Sequence, residues 1–224
     1  MTHSMPRFPD PAAAAPAHHP AEEFLLDYAA GATSPAETLM LATHLVYCNV
    51  CRQAVHAARA VGGMLLDTLE PARMPPNMLN RTLAAIDADD APAPPSPPSL
   101  SAFLAEHMAH KNWRRLPNGF RMRRIPTAES GREGSGRAWL FDAPPGLKVP
   151  AHRHVGDEWT MILSGVFLDG DRSYRVGDFG HRNDGEVHQP TIGAEGRCVS
   201  LIMVRDAPQY TSMVGRLAAP FVRL

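Results

Sequence analysis

The chain has 224 residues, 44% hydrophobic and 20% charged, the balance of a soluble globular protein with room for one or two packed domains. Its net charge of -1 removes any general electrostatic reason to bind nucleic acid or a membrane surface. No apolar run approaches the ~18 residues a spanning helix needs, so neither nucleic acid nor a membrane is expected as a direct partner.

The opening "MTHSMPRFPDPAAAAPAHHPAEE" lacks the apolar core and cleavage site of a secretory signal, and a cytoplasmic location is the expectation. Residues 1–17 are rich in Pro and Ala and read as a flexible arm. Residues 18–88 carry helical periodicity. Phe24, Leu25, Tyr28 and Ala29 form one apolar stripe. "SPAETLMLATHL" opens with Ser34 as N-cap and Pro35 at N1, "CRQAVHAARAVGGMLLDTL" continues with helical spacing, and "PNMLNRTLAAIDA" gives a fourth, weaker helix. Residues 89–99 hold Pro92, Pro94, Pro95, Pro97 and Pro98, which no helix or central strand accepts, and read as a semi-rigid linker keeping two domains apart.

Residues 100–224 follow a different rule. After a short helix in "LSAFLAEHM" come "GFRMRRI", "RAWLFDA", "EWTMILSGVFLDG", "RSYRVGDF" and "RCVSLIMVRD", β-rich segments separated by Gly, Asp and Pro. Evenly spaced short strands predict a sandwich or barrel. The expected fold class is two-domain, a small helical bundle followed by an all-β barrel.

The cysteine usage points to a metal. Reduced cytoplasmic thiols argue against a disulfide, and Cys48 and Cys51 lie one helical turn beyond His44, as H-x3-C-x2-C. Those spacings bring the three side chains to one side of a helix or helix turn, which suits tetrahedral zinc. A helical unit of ~70 residues buries too little apolar surface to be comfortable without such a staple. The fourth ligand is expected from His18, His19 or His56.

A second ligand set stands in the β region. Gly146, His152, His154, Glu158 and Gly165 follow G-x5-H-x-H-x3-E-x6-G. On a strand, His152 and His154 point to one face, and Glu158 follows on the next stretch of the same sheet, so the three converge inside a barrel.

With these residues in place, "HHPAEEFLLDYAAGATSPAETLMLATHLVYCNVC" resembles the zinc-binding anti-sigma domain, in the ChrR-type form fused to a C-terminal cupin. The resemblance implies that a histidine just before the first helix completes the zinc site, which is His19 here with His18 as its neighbour and rival. The glycine-bounded pattern resembles the first cupin motif, and "NDGEVHQP" resembles the second, with Gly185 at the turn and His188 as the last ligand. Asn183 stands where proline is usual, and Ile192 where asparagine is usual. A His3Glu set accepts iron, manganese or zinc, and affinity order does not choose among them; the resemblance favours zinc.

The resemblance further implies a regulator. The helical domain would hold an extracytoplasmic-function (ECF) sigma factor in a 1:1 complex, and the cupin would trigger release on an oxidative signal, singlet oxygen or an organic hydroperoxide. The competing expectation is a dioxygenase-like cupin metalloenzyme with the helices as a docking module. Cys198, in an apolar strand, reads as a small buried residue, and His181 as a surface histidine. "KNWRRLPNGFRMRRI" reads as an arginine-bearing β-hairpin. Met64, Leu65, Leu66, Met78 and Leu79 read as core or partner-facing residues.

Overall fold

The structure, a computed structural model, describes residues 15–87, 99–110, 112–116, 118–127 and 136–211. The first 14 residues of the expected arm, nearly all of the proline linker, and residues 212–224 lie outside the described residues.

Among the described residues, five helices come first: α1 (Glu22–Ala30), α2 (Pro35–Tyr47), α3 (Asn49–Asp67), α4 (Met78–Asp87) and α5 (Leu100–Ala109). Helix α2 begins where the sequence places it. Ser34 accepts from the Glu37 N–H and the Glu37 carboxylate accepts from the Ser34 N–H at 2.8 Å, a reciprocal capping box followed by Pro35. Cys48 serves two helices at once. It ends α2 in an extended conformation and caps α3, its sulfur accepting from the Cys51 N–H.

Twelve strands follow among the described residues: β1 (Arg114–Arg115), β2 (Arg121–Ile125), β3 (Arg137–Ala143), β4 (His152–Arg153), β5 (Glu158–Ser164), β6 (Phe167–Asp169), β7 (Arg172–Tyr174), β8 (Phe179–Arg182), β9 (Val187–His188), β10 (Thr191–Ile192), β11 (Cys198–Val204) and β12 (Gln209–Tyr210). Every pairing among the described residues is antiparallel. The sheets run β1-β2-β3-β11-β5-β8, β10-β6-β7 and β12-β4-β9, and apolar residues of the first two meet in a barrel core around Met122, Ile162, Phe167, Tyr174 and Ile192. The expected arginine hairpin is β1-β2. Gly165 closes the turn after β5 at φ +77, and a Cβ there would sit 2.4 Å from the Arg197 carbonyl oxygen, so the turn admits only glycine.

The helices do not stand apart from the barrel. Strands β5 and β11 are buried on both faces, and the twofold alternation divides their side chains. Trp159, Met161, Leu163, Val199, Leu201 and Met203 join a single core with Leu25 of α1, Met40, Leu41 and Leu45 of α2, Val55 of α3 and Leu104 of α5. The alternate residues, Glu158, Ile162, Ser200 and Ile202, face the barrel interior. Phe24 stacks on Trp159 with ring centroids 4.5 Å apart, and Arg205 pairs with Glu37 at 2.6 Å. The helical unit and the barrel pack on one another, because short helices with one apolar face cover the otherwise bare outer face of the sheet. Ahead of the first helix, Pro16 is buried, and the Ala17 N–H donates to the Asp178 carboxylate at 2.7 Å.

Beyond Val55 the helical unit loses its cover. Val61, Met64, Leu65, Leu66, Leu69, Leu79, Leu83 and Ile86 are all at least half exposed, and α4 has no buried residue. Among the described residues, no helix is long and apolar enough to cross a membrane.

Candidate metal centres

The structure brings His19, His44, Cys48 and Cys51 together, with their ligand atoms all within 4.8 Å of one another. His44 is fully buried on the last turn of α2, Cys48 occupies the break between helices, and Cys51 lies on the first turn of α3. His19 reaches in from the extended segment before α1. His44 Nε2 lies 3.4 Å from Cys51 Sγ, and His19 Nδ1 lies 3.4 Å from Cys48 Sγ and 3.5 Å from Cys51 Sγ. Zn–S bonds of ~2.3 Å and Zn–N bonds of ~2.0 Å put the edges of a tetrahedron at about 3.5 Å, so the spacing suits a four-coordinate ion.

The surroundings prepare these atoms to ligate. The His44 Nδ1–H donates to the Gly177 carbonyl at 2.9 Å, which leaves Nε2 as a bare lone pair aimed at the cluster. Burial lowers the His44 pKa to about 4, holding the ring neutral at physiological pH. Burial and the neighbouring Cys48 push the Cys51 thiol up to about 12, so a metal entering here displaces its proton. His18 is turned the other way, since neighbours in an extended segment face opposite sides. Its ring lies 4.4 Å from that of Tyr174, with Nε2 against the Ser173 carbonyl. His56, exposed on α3, stands outside the cluster.

The second set, His152, His154, Glu158 and His188, also lies within 4.8 Å. Pairing of β4 with β9 sets His152 opposite His188, and β5 brings Glu158 from the adjacent sheet. His152 Nε2 and His154 Nε2 each lie 3.0 Å from His188 Nε2, and Glu158 Oε2 lies 3.7 Å from His154 Nδ1. Metal–nitrogen bonds of ~2.1 Å at right angles put two donors about 3.0 Å apart, which suits an ion of coordination number above four.

Hydrogen bonds supply an independent test of this fit. The His152 Nδ1–H donates to the Pro150 carbonyl at 2.9 Å, and the His188 Nδ1–H donates to Asp169 at 2.7 Å. In neutral rings both Nε2 atoms are then lone pairs facing one another across 3.0 Å. A cation between them turns that repulsion into ligation, and two further donors stand around the same point. Burial lowers His152 to about 4; burial with the His188 and His152 rings lowers His154 to about 3; burial raises Glu158 to about 7. For Asp169 burial works upward, but hydrogen bonds from His188 and Arg182 win and hold it near 2, an anion behind His188.

A cleft of about 120 Å³ opens over His152, Glu158 and His188. Phe120, Phe141, Phe167, Ile192, Ile202 and Tyr210 make its walls predominantly apolar. His181 belongs to neither set; it packs edge-on against Phe24 and pairs with Asp157. Cys198 is buried in β11. Sequence reasoning passed over Asp169, Gly177, Asp178 and Arg182, which support the ligands from behind. Their spacing along the chain carries no motif, and only the Asp within "FLDG" and the Gly-Asp turn before Phe179 hinted at them.

Comparison with known proteins follows from this geometry. Residues 102–208 match the ChrR cupin-like domain family. The chain is 33% identical over 215 residues to the anti-sigma-E factor ChrR of Cereibacter sphaeroides, covering 92% of this chain and 98% of that one. It also superposes on the crystal structure of Rhodobacter sphaeroides SigE in complex with the anti-sigma ChrR, with a TM-score of 0.71 and 31% identity, over 84% of this chain and 98% of that one.

Proposed function

We infer what this protein does from one premise: the chain belongs to the ChrR family of anti-sigma factors. It is a regulator and not an enzyme. It holds an ECF sigma factor in a 1:1 complex and occludes the surfaces through which that factor engages RNA polymerase, in the cytoplasm.

The observation that carries this reading is the uncovered apolar face of α3 and α4. Leu79, Leu83 and Ile86 recur at helical spacing on α4, and Val61 and Leu65 on α3, all at least half exposed in a chain whose other helices are packed. A water-soluble protein keeps such a surface for a partner, and an amphipathic helix pair offers its apolar side to the groove of another helical protein. The relative crystallised with SigE matches this chain across most of its length.

Release follows an oxidative signal, singlet oxygen or an organic hydroperoxide. Zinc belongs to His19, His44, Cys48 and Cys51, and zinc, or alternatively iron or manganese, to His152, His154, Glu158 and His188. Bound at these sets, the ion supplies positive charge that holds the ligands and, at the first, ties three separate segments into one fold. Thiolate sulfurs of Cys48 and Cys51 and the imidazoles of the cupin set are oxidisable, and the apolar cleft gives a small oxidant a path to the second set. Damage at either place removes ligation and, with it, order.

The same cleft supports a second reading, a dioxygenase-like metalloenzyme with a helical docking module. Co-expression with ECF sigma factors from the same genome, followed by size-exclusion chromatography and elemental analysis, separates the two. The regulator gives a 1:1 complex that carries zinc and loses the sigma factor on exposure to oxidant. A chain that captures no sigma factor but consumes dioxygen with a small organic substrate is the enzyme.

A further inference from the structure

Strand β8 supports both candidate metal centres. At its leading end, the Gly177 carbonyl accepts from His44 Nδ1–H, fixing one ligand of the helical set. Asp178, 3% exposed, accepts at Oδ1 from the N–H groups of Ala17, at 2.7 Å, and His18, at 2.9 Å. The Phe179 N–H donates back to the His18 carbonyl at 3.0 Å. Three hydrogen bonds thus clamp the chain immediately before His19, and all three come from the cupin. Asp178 is itself held, its Oδ2 accepting from the Arg175 N–H at 2.7 Å. Gly177 lets the turn approach: at φ +90, a Cβ there would lie 2.8 Å from Pro16 and 3.0 Å from the Tyr47 Cβ.

The other end of the strand reaches the cupin set. Arg182 binds Asp169 through Nε at 3.0 Å, and Asp169 accepts from His188 Nδ1–H at 2.7 Å. In the ladder with β5, Arg182 pairs with Glu158, and Phe179 with Met161. The four residues of β8 span only about 10 Å at ~3.3 Å per step, too short a piece to bend independently at its two ends. Among the described residues it is also an edge strand with β5 as its one ladder partner, so the contacts at its ends share in setting its position.

We propose that β8 couples the two centres: Asp178 is the positioning residue for the His19 and His44 ligands, Arg182 with Asp169 positions His188, and filling either site raises the metal affinity of the other. The proposal rests on the reading of both clusters as metal sites. It gives a metal event in the cupin a physical route to the helical domain. Such coupling is reciprocal by linkage, whichever site responds first.

The test uses the full chain, stripped of metal and titrated with Co²⁺. A thiolate-to-cobalt charge-transfer band reports Cys48 and Cys51 alone, because the cupin set contains no sulfur. Asp178→Ala is expected to weaken cobalt binding at the thiolate site roughly 10-fold or more. Asp178→Asn, which retains an acceptor for Ala17 and His18, recovers most of that loss, whereas a merely structural effect of losing the charge would not be rescued. His154→Ala, which removes a cupin ligand and leaves β8 untouched, is expected to weaken the thiolate site about 5-fold or more. An unchanged thiolate band affinity in Asp178→Ala, or in His154→Ala, overturns the coupling. If Asp178→Ala fails to fold, hydrogen exchange of the unaltered chain decides: zinc loading must slow exchange in residues 175–182, and identical exchange with and without zinc overturns the proposal. No sigma factor enters these measurements, so a chain that binds none would defeat the functional reading and leave this one standing.

Discussion

The hydrogen bonds that prepare each ligand are as informative as the ligands. His44 gives its Nδ1–H to Gly177, His152 to Pro150 and His188 to Asp169, so three rings present Nε2 with the tautomer already chosen. Cys198 shows the opposite environment. Burial, and then the negative charge of Asp142, push its thiol up to about 12. Because the pKa is raised, the neutral thiol is the form that suits the fold; its contribution is complete below the ordinary thiol pKa and is lost only as pH rises through about 12. At pH ~8 the thiol is therefore held in its neutral form. Iodoacetamide applied to the native chain at that pH is expected to leave Cys198 unmodified and to alkylate it after denaturation, as read by mass spectrometry. Rapid native alkylation would make Cys198 a reactive thiol and reopen a sensing role for it.

Among the elements, α2 and α3 share a boundary residue, and that boundary creates the first metal set. Helix α2 stops at Cys48, whose extended backbone redirects the chain, and the same sulfur caps α3, so His44 and Cys51 face each other across the break. Helices α3 and α4 then diverge in fate along their length. Val55 is in the core, whereas Leu65 is 65% and Leu83 is 50% exposed. Leu83→Glu is expected to change stability to denaturant by no more than about 0.5 kcal/mol, since the side chain has no core to leave. The same change is expected to weaken sigma-factor binding by about 2 kcal/mol or more, roughly 30-fold, if this face is the centre of the interface. Isothermal titration and urea unfolding of the one variant measure both. Wild-type affinity with unchanged stability would move the interface off α4.

For the molecule as a whole, the shared core predicts cooperativity. Met40 of α2 is fully buried in the cluster that holds Trp159, Met161 and Leu201 of the sheet. Met40→Ala is expected to cost roughly 2–5 kcal/mol, from lost transfer energy and the cavity left behind. Because that cavity borders both units, helix content by circular dichroism and tryptophan fluorescence are expected to fall in one coincident transition, shifted to lower denaturant in the variant. Two separated transitions, with only the helical one shifted, would show that the units fold independently and that the interface contributes little.

Periodicity and spacing carry the helices, the longer strands and the local part of each candidate ligand set. The Ser34–Pro35 start of α2, the close H-x3-C-x2-C and G-x5-H-x-H-x3-E patterns, and the alternation of the strands are local, and local geometry is what a linear sequence encodes. His19 over His18 and His56, and His188, came from family resemblance, because the chain must fold back before distant donors meet. What only the tertiary structure decided is the relation between the halves. The proline-rich segment reads as a spacer, but packing depends on which surfaces are left uncovered, and β5 and β11 carry apolar residues on both faces. "EWTMILS" and "CVSLIMV" contain that information as unbroken apolar runs, yet a run of this kind does not name what covers its second face. Asp178 and Gly177 acquire their roles the same way, through hydrogen bonds to segments as much as 161 residues away, which exist only once the helical segment has docked on the barrel, and Asp169 and Arg182 acquire theirs when the strands of the barrel come together.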